Sequence, residues 1–356
     1  MCGHNQLSNR LLPRILFSAF GLMVAASTLL SCASTLSAES AKDRLVTAAT
    51  HAQLDALGLQ PWHLKLEVTL YDLHGNNPVT GTIERWNADN RNRTVFTFGD
   101  STRTTLNDGD AYYVSHSGPT VPSLADSVLD EVLRPGPSDS DITSSSPEEE
   151  KQNFGKVQLD CVMLSESRLT KGPIAIGLFP TYCMDTNAPV LRASFNFGMF
   201  TALRNDISPF QGHDVAHSIV FIQGTKTRIA EAKVMTLETF TRSATQFTPD
   251  DSMKKTSATA NAAKISGGLM AGQILTKTPP TYPVSDRQKH IAGTVVLHAI
   301  IGRDGHIRSL RPISSPDTDL ALAAIDAVRQ WTYRPYLLNG EPTDVETTIT
   351  VNFNLN

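Results

Sequence analysis

Val345-Glu346-Thr347-Thr348-Ile349-Thr350-Val351-Asn352-Phe353-Asn354-Leu355 alternates strictly between two sets of residues. Val345, Thr347, Ile349, Val351, Phe353 and Leu355 fall on one side, and Glu346, Thr348, Thr350, Asn352 and Asn354 on the other. Period-2 alternation is the signature of a strand with one buried face. The segment runs almost to the chain end, so it is expected to lie at a sheet edge. An edge offers backbone N–H and C=O groups to an arriving extended peptide.

The residues upstream complete a small α/β unit. Thr294 to Ile301 is a β-rich run, and Asp304-Gly305 gives a tight-turn signal. A second strand follows through Ile307, Leu310 and Ile313. Pro316 and Asp317 then open a helix with Leu320, Ala324, Val328 and Trp331 on one stripe. Pro335 prevents its continuation, and Asn339-Gly340 turns the chain into the closing strand. The expected order is strand, strand, helix, strand.

With these residues in place, roughly 275 to 356 resembles the TonB C-terminal domain family. The resemblance rests on Tyr282-Pro283, the Ile291-Ala292-Gly293-Thr294-Val295 strand start, Asp304-Gly305, and Trp331, Tyr333 and Pro335. Taken alone, these read as core residues and backbone punctuation. The resemblance implies a periplasmic module that grips an extended segment of an outer-membrane transporter by strand addition, in proteins that couple transport to inner-membrane motor proteins. Outward side chains on the closing strand, Thr348, Thr350, Asn352 and Asn354, would then tune the choice of partner. No cofactor or metal is required.

The N-terminus points to the cell envelope. Arg10 and Arg14 precede an apolar stretch from Ile15 to Leu30, shorter than the ~20 apolar residues of a usual span. Three readings of residues 1 to 38 stay open. Leu29-Leu30-Ser31-Cys32 resembles a lipobox with Cys32 as the lipidated residue; cleavage could instead fall near Ala33 or Ala38; or the segment is retained as an anchor. A membrane-anchored or lipid-tethered protein on the periplasmic side is expected. Of four cysteines, only Cys161 and Cys183 lie in the body. In an oxidising compartment a disulfide is the simplest expectation, and buried thiols are its rival.

The remaining chain is read as an α+β body, a linker and the small domain. A net charge of −4 and the lack of a basic cluster argue against nucleic acid. Residues 41 to 242 open with a helical pattern stopped near Gly58, followed by Trp62, Leu64, Leu66, Val68 and Leu70 in strand alternation. Strand-like runs recur at 79–87, 93–98, 103–106, 111–115, 156–164, 190–197, 215–222 and 228–237. A short helix is expected from Leu124 to Leu133, with Ser123 and Asp126 as a capping pair, and residues 136 to 153 as a mobile acidic loop. This pattern implies a large curved antiparallel sheet with a few helices.

The body is also similar in pattern to LolA/LolB-like half-barrels, whose apolar concave face shelters lipid. Residues 243 to 278, rich in Ser, Thr, Ala and Lys, read as a flexible linker with a mean reach of about 35 Å. His213 and His217 lie four apart in a strand context, about 13 Å from each other by strand rise, too far for one metal. Catalytic motifs such as a nucleophile elbow or phosphate loop are lacking, so no enzyme is expected. Two readings therefore stand: a TonB-like protein that captures transporter peptides, with an implied role in energised transport, and a periplasmic lipid- or lipoprotein-binding protein that uses the small domain for docking.

Overall fold

The computed structural model describes residues 40–165, 179–196, 199–224, 226–241, 243–256 and 262–355. Ser40 caps helix α1 (Ala41–Ala52) by accepting the Asp43 N–H at 3.1 Å. Five strands follow: β1 (Trp62–Leu70), β2 (Val79–Ala88), β3 (Arg91–Phe98), β4 (Ser101–Asn107) and β5 (Tyr112–Ser117). Helices α2 (Leu124–Leu133) and α3 (Asp139–Ser144) interrupt the meander. It resumes with β6 (Ser146–Phe154), β7 (Val157–Ser165), β8 (Thr181–Asp185), β9 (Leu191–Asn196), β10 (Phe200–Phe210), β11 (His213–Gln223) and β12 (Thr227–Thr239).

These strands and β13 (Lys254–Thr256) form one open, curved thirteen-stranded sheet. Its order is β13-β5-β4-β3-β2-β1-β12-β11-β10-β9-β8-β7-β6. Register decides its two faces. Val68, Ala232, Ile219 and Arg204 stand opposite one another across four strands, as do Val162, Tyr182 and Ser194 across three. Glu131 of α2 binds both Arg204 and Ser194, and α1 packs Leu45 and Ala48 with Val162. Both helices therefore lie on the same, inner face. One residue along β7 and β8, Cys161 and Cys183 are a directly opposed pair on the outer face, joined by a disulfide.

The inner face is filled. Trp62, Leu64, Leu66 and Val68 pack with Ala125, Val128, Leu129 and Val132, none more than 6% exposed. Each such large side chain contributes roughly 1.5–3 kcal/mol by leaving water, so α2 and the centre of the sheet form one core.

The chain then runs through a 3₁₀ turn (Ala244–Phe247), β13, β14 (Ala263–Lys264), α4 (Gly267–Ala271), β15 (Ile274–Thr276) and α5 (Val284–Gln288). The final elements are β16 (Gly293–Ile301), β17 (Ile307–Ser314), α6 (Thr318–Val328), β18 (Thr332–Tyr333), β19 (Leu337–Leu338), β20 (Glu341–Pro342) and β21 (Val345–Phe353). A second sheet has the order β14-β21-β16-β17. Asp317 caps α6 by accepting the Asp319 N–H at 2.9 Å, and Leu320, Ala321, Ala324, Ile325 and Val328 bury its apolar stripe. The expected strand, strand, helix, strand order is present.

Four expectations are corrected. Residues 136 to 153 are not a mobile loop: Ser138 and Asp141 make a capping box for α3, and the acidic run forms edge strand β6. Charge does not prevent strand formation at a sheet edge, where side chains meet water and discourage further pairing. Ser123 does not cap α2 through its side chain, and Asp126 binds Arg103 instead. Within residues 243 to 278, read as a flexible linker, residues 254–256, 263–264 and 274–276 are instead paired strand: β13 pairs with β5, β14 with β21 and β15 with β18. Backbone pairing stabilises a segment that has few apolar side chains of its own. The closing strand, finally, is not a bare edge, since β14 lies beside its first two residues. The readings of residues 1 to 38, including Cys32, fall outside the described residues.

Residues 39–356 make one compact unit. A single buried apolar cluster runs from Leu54 and Trp62 to Val351 and Phe353. Among the described residues no helix is long and apolar enough to cross a membrane.

Candidate functional site

The outer edge of β21 is built by parity. Asp344 and Glu346 carbonyls accept from Ala263 N (2.8 Å) and Ile265 N (3.0 Å), so even-numbered residues turn their backbone groups away from β16. Residue N–H and C=O groups point the same way and alternate along a strand. Thr348, Thr350 and Asn352 therefore continue the edge, with exposed side chains, while Ile349, Val351 and Phe353 are buried. The edge is not uniform. Gly267 crosses so close to the Thr348 carbonyl that a Cβ there would lie 2.3 Å from its oxygen. The Thr350–Asn352 stretch lies beyond the residues that β14 pairs with. Asn352 accepts a hydrogen bond from Thr294 Oγ1 at 2.9 Å, which orders its amide, and Asn354 is exposed just past the strand.

The motif residues hold this edge in place. Tyr282 meets Phe353 edge to face at 5.4 Å and donates from its hydroxyl to the Ile291 carbonyl at 2.5 Å. Pro283 is the residue before α5. Trp331 is buried and donates its indole N–H to the Thr278 carbonyl at 2.7 Å, tying the segment before Tyr282 to the end of α6. Gly293 has φ +142° and faces Pro316. At Gly305 (φ +82°) a Cβ would lie 1.9 Å from the Tyr333 carbonyl oxygen, so only glycine fits, and Pro335 lies just beyond. Tyr333 in turn donates its N–H to Gly305 O at 2.8 Å.

Asp304 does more than turn the chain. Its Oδ2 accepts the Ser123 N–H at 2.7 Å at the start of α2, and Gly302 lies directly against the Ser123 side chain. Beside this contact a charge chain crosses from the large sheet to the small one. Arg103 binds Asp126, Arg303 and Arg308 bind Asp344, and Arg308 also reaches Asp130 of α2 at 2.8 Å. Burial opposes ionisation of Asp126, but Arg103, Arg303 and Arg308 outweigh it and hold its carboxyl well below the usual range. For Asp130 burial wins and its carboxyl is raised. Sequence patterns could not reveal this network, because its partners come from separate elements and no local motif pairs them.

His213 and His217 lie on β11, and His217 pairs with Ser208 at 2.9 Å.

Residues 293–353 thus form a β-β-α-β module whose closing strand carries exposed side chains at Thr348, Thr350 and Asn352. Residues 278–355 match the family described as Gram-negative bacterial TonB protein C-terminal. Curated relatives called Protein TonB, from two strains of Xanthomonas campestris pv. campestris, are 32% identical over 79 residues. That match covers 22% of this chain and 35% of each relative.

Among solved structures, a LolA superfamily protein from Nitrosomonas europaea is similar at 9% identity and TM-score 0.37. It covers 58% of this chain and 97% of its own. A putative outer membrane lipoprotein-sorting protein domain from Vibrio parahaemolyticus is similar at 9% identity and TM-score 0.34, covering 57% and 94%.

Proposed function

We propose that this protein captures an extended peptide segment of an outer-membrane transporter by strand addition on the outer edge of β21, on the periplasmic side of the envelope. The observation that carries this reading is the behaviour of the edge itself. The chain's own β14 already pairs with it at Val345–Glu346, so the edge is competent to accept a strand. Thr350 and Asn352 extend it without that cover. Main-chain pairing would supply affinity, and Thr348, Thr350, Asn352 and Asn354 would bias the choice of partner. The family match of residues 278–355 supports the same reading, as does the likeness to Protein TonB.

Coupling to an inner-membrane motor is the second half of this proposal. The small sheet is docked on the large one through Asp304 and Arg308, so force would pass through a packed body rather than a long rod. The rival lipid-binding reading would need α2 to leave the inner face, where Val128, Leu129 and Val132 occupy the place an acyl chain would take.

The test is direct. The full chain is titrated with a fluorescent peptide from the N-terminal region of an outer-membrane transporter, followed by anisotropy. Thr350→Pro and Asn352→Pro each remove an edge donor and should abolish binding while the far-ultraviolet spectrum is retained. No binding at high micromolar concentration, or binding that survives both substitutions, rejects strand addition at β21. Lipid extracted from the purified protein, together with absent peptide binding, would favour the carrier reading.

A further inference from the structure

Asp286, Asp317 and Asp319 converge where α5 meets the start of α6, with one carboxylate oxygen of each within 4.8 Å of the others. An acidic grouping alone says little. Asp286, however, is only 1% exposed, directs one carboxylate oxygen into this grouping, and has an Oδ2 without a hydrogen-bond partner among the described residues. A buried carboxylate oxygen lacking a donor is unfavourable, and two more carboxylates beside it make it worse. Burial first, then Asp317 and Asp319, push the Asp286 carboxyl up. Lys289 offsets these effects only in part.

We infer that Asp286, Asp317 and Asp319 form a binding site for a hard divalent cation, Ca²⁺. The donor set is oxygen only, which selects Ca²⁺ or Mg²⁺ over softer metals. Tolerance of geometry then decides. Ca²⁺ takes six to eight oxygens in flexible geometry at about 2.3–2.6 Å, whereas Mg²⁺ demands a near-ideal octahedron at about 2.0–2.1 Å. Three carboxylates from two separate helices and a helix cap, grouped within 4.8 Å, suit the less demanding ion. The positive end of the α6 dipole opposes a cation here, but three carboxylates at contact range outweigh a fraction of one charge. Ser285 Oγ donates to Asp319 at 2.9 Å and the Asp319 N–H donates to Asp317 at 2.9 Å, which orients two ligands in advance. Asp319 is exposed, which leaves the ion open to water for its remaining ligands.

The ion would fasten α5, and with it Tyr282-Pro283, to α6. Because Tyr282 packs on Phe353, the site would brace the end of β21 from behind. The site does not depend on peptide capture and can be tested without a peptide.

The full chain in chelator-treated buffer is titrated with CaCl₂ alone, by calorimetry and by thermal unfolding. The expected dissociation constant is on the order of 10⁻⁴–10⁻³ M, and about 10 mM CaCl₂ should raise Tm by about 2 °C or more. Asp286→Asn and Asp319→Asn should each remove the heat of binding and the Tm rise. Asp319 is exposed, so the second variant is informative even where the first folds poorly. A wild-type protein that ignores CaCl₂, or a response that persists in both variants, overturns the inference. A Ca²⁺-insensitive wild type that Asp286→Asn stabilises would mean a neutral buried carboxyl with no ion, which overturns it equally.

Discussion

Asp304 accepts the backbone N–H of Ser123 at 2.7 Å, joining a turn of the small sheet to the first turn of α2. The N-terminal N–H groups of a helix have no partner inside it, so a carboxylate there satisfies a donor and complements the dipole. Here the cap comes from another part of the fold rather than from the residue at the cap position.

Asp304→Ala should therefore lower stability by about 1–2 kcal/mol, the usual cost of a lost cap, and loosen the small sheet from α2. Urea unfolding would give the first effect. Faster amide exchange across Leu124–Asp126, with little change in β16, would give the second.

His306 predicts a pH dependence. Its hydrogen bond with Asp304 raises its pKa above the ordinary 6.5, against a smaller opposing effect of burial. A raised folded-state pKa means stability that is full below about 6.5 and lost as pH rises through the folded value. Wild-type Tm should fall between pH 6 and pH 8, and His306→Asn should flatten that slope. Equal slopes in the two proteins would show that His306 takes no part.

Ile265 tests self-occupation of the β21 edge. Its N–H donates to Glu346 O at 3.0 Å, and Ile265→Pro removes that bond. A typical net hydrogen bond contributes about 0.5–1.5 kcal/mol, so peptide affinity should tighten by up to about tenfold as β14 is more readily displaced. An unchanged or weaker affinity would mean that β14 supports the site rather than competing for it.

The Cys161–Cys183 disulfide should be worth about 3 kcal/mol by the chain-entropy model. A Cys161→Ala, Cys183→Ala variant should unfold at correspondingly lower urea concentration. Peptide binding should be unaffected, because both cysteines lie in the large sheet.

How far the fold could be read in the sequence differs from place to place. Trp62 to Leu70 and Val345 to Phe353 were legible because one buried face imposes period 2 on side-chain choice. Ser146 to Phe154 was not, since an edge strand tolerates charge on nearly every side chain. Phe200 to Phe210 lacks a clear signature because Arg204 takes a buried position and the polar Asn205-Asp206 pair follows it. Residues 254 to 256 and 263 to 264 carry no strand signature; partner strands elsewhere in the chain induce them.

The motif residues of the small domain kept the meanings that local chemistry assigns them. Gly305 is required by the Tyr333 carbonyl, and Trp331 is a core residue with a satisfied indole. The charge chain of Arg103, Asp126, Asp130, Arg308 and Asp344 could not be foreseen in the same way. Ion pairing depends on distance in space, and nothing in sequence spacing reports it across more than a hundred residues.

By itself the sequence determined an alternating closing strand within a β-β-α-β unit, preceded by a long antiparallel meander, because burial of one face leaves its mark on every second residue. Only the tertiary structure decided how much of the closing strand's edge stays open, which helix fills the inner face, and that Asp304 and Arg308 lock the two sheets together. Those outcomes depend on contacts between segments that share no local pattern, where geometry in space selects the partner.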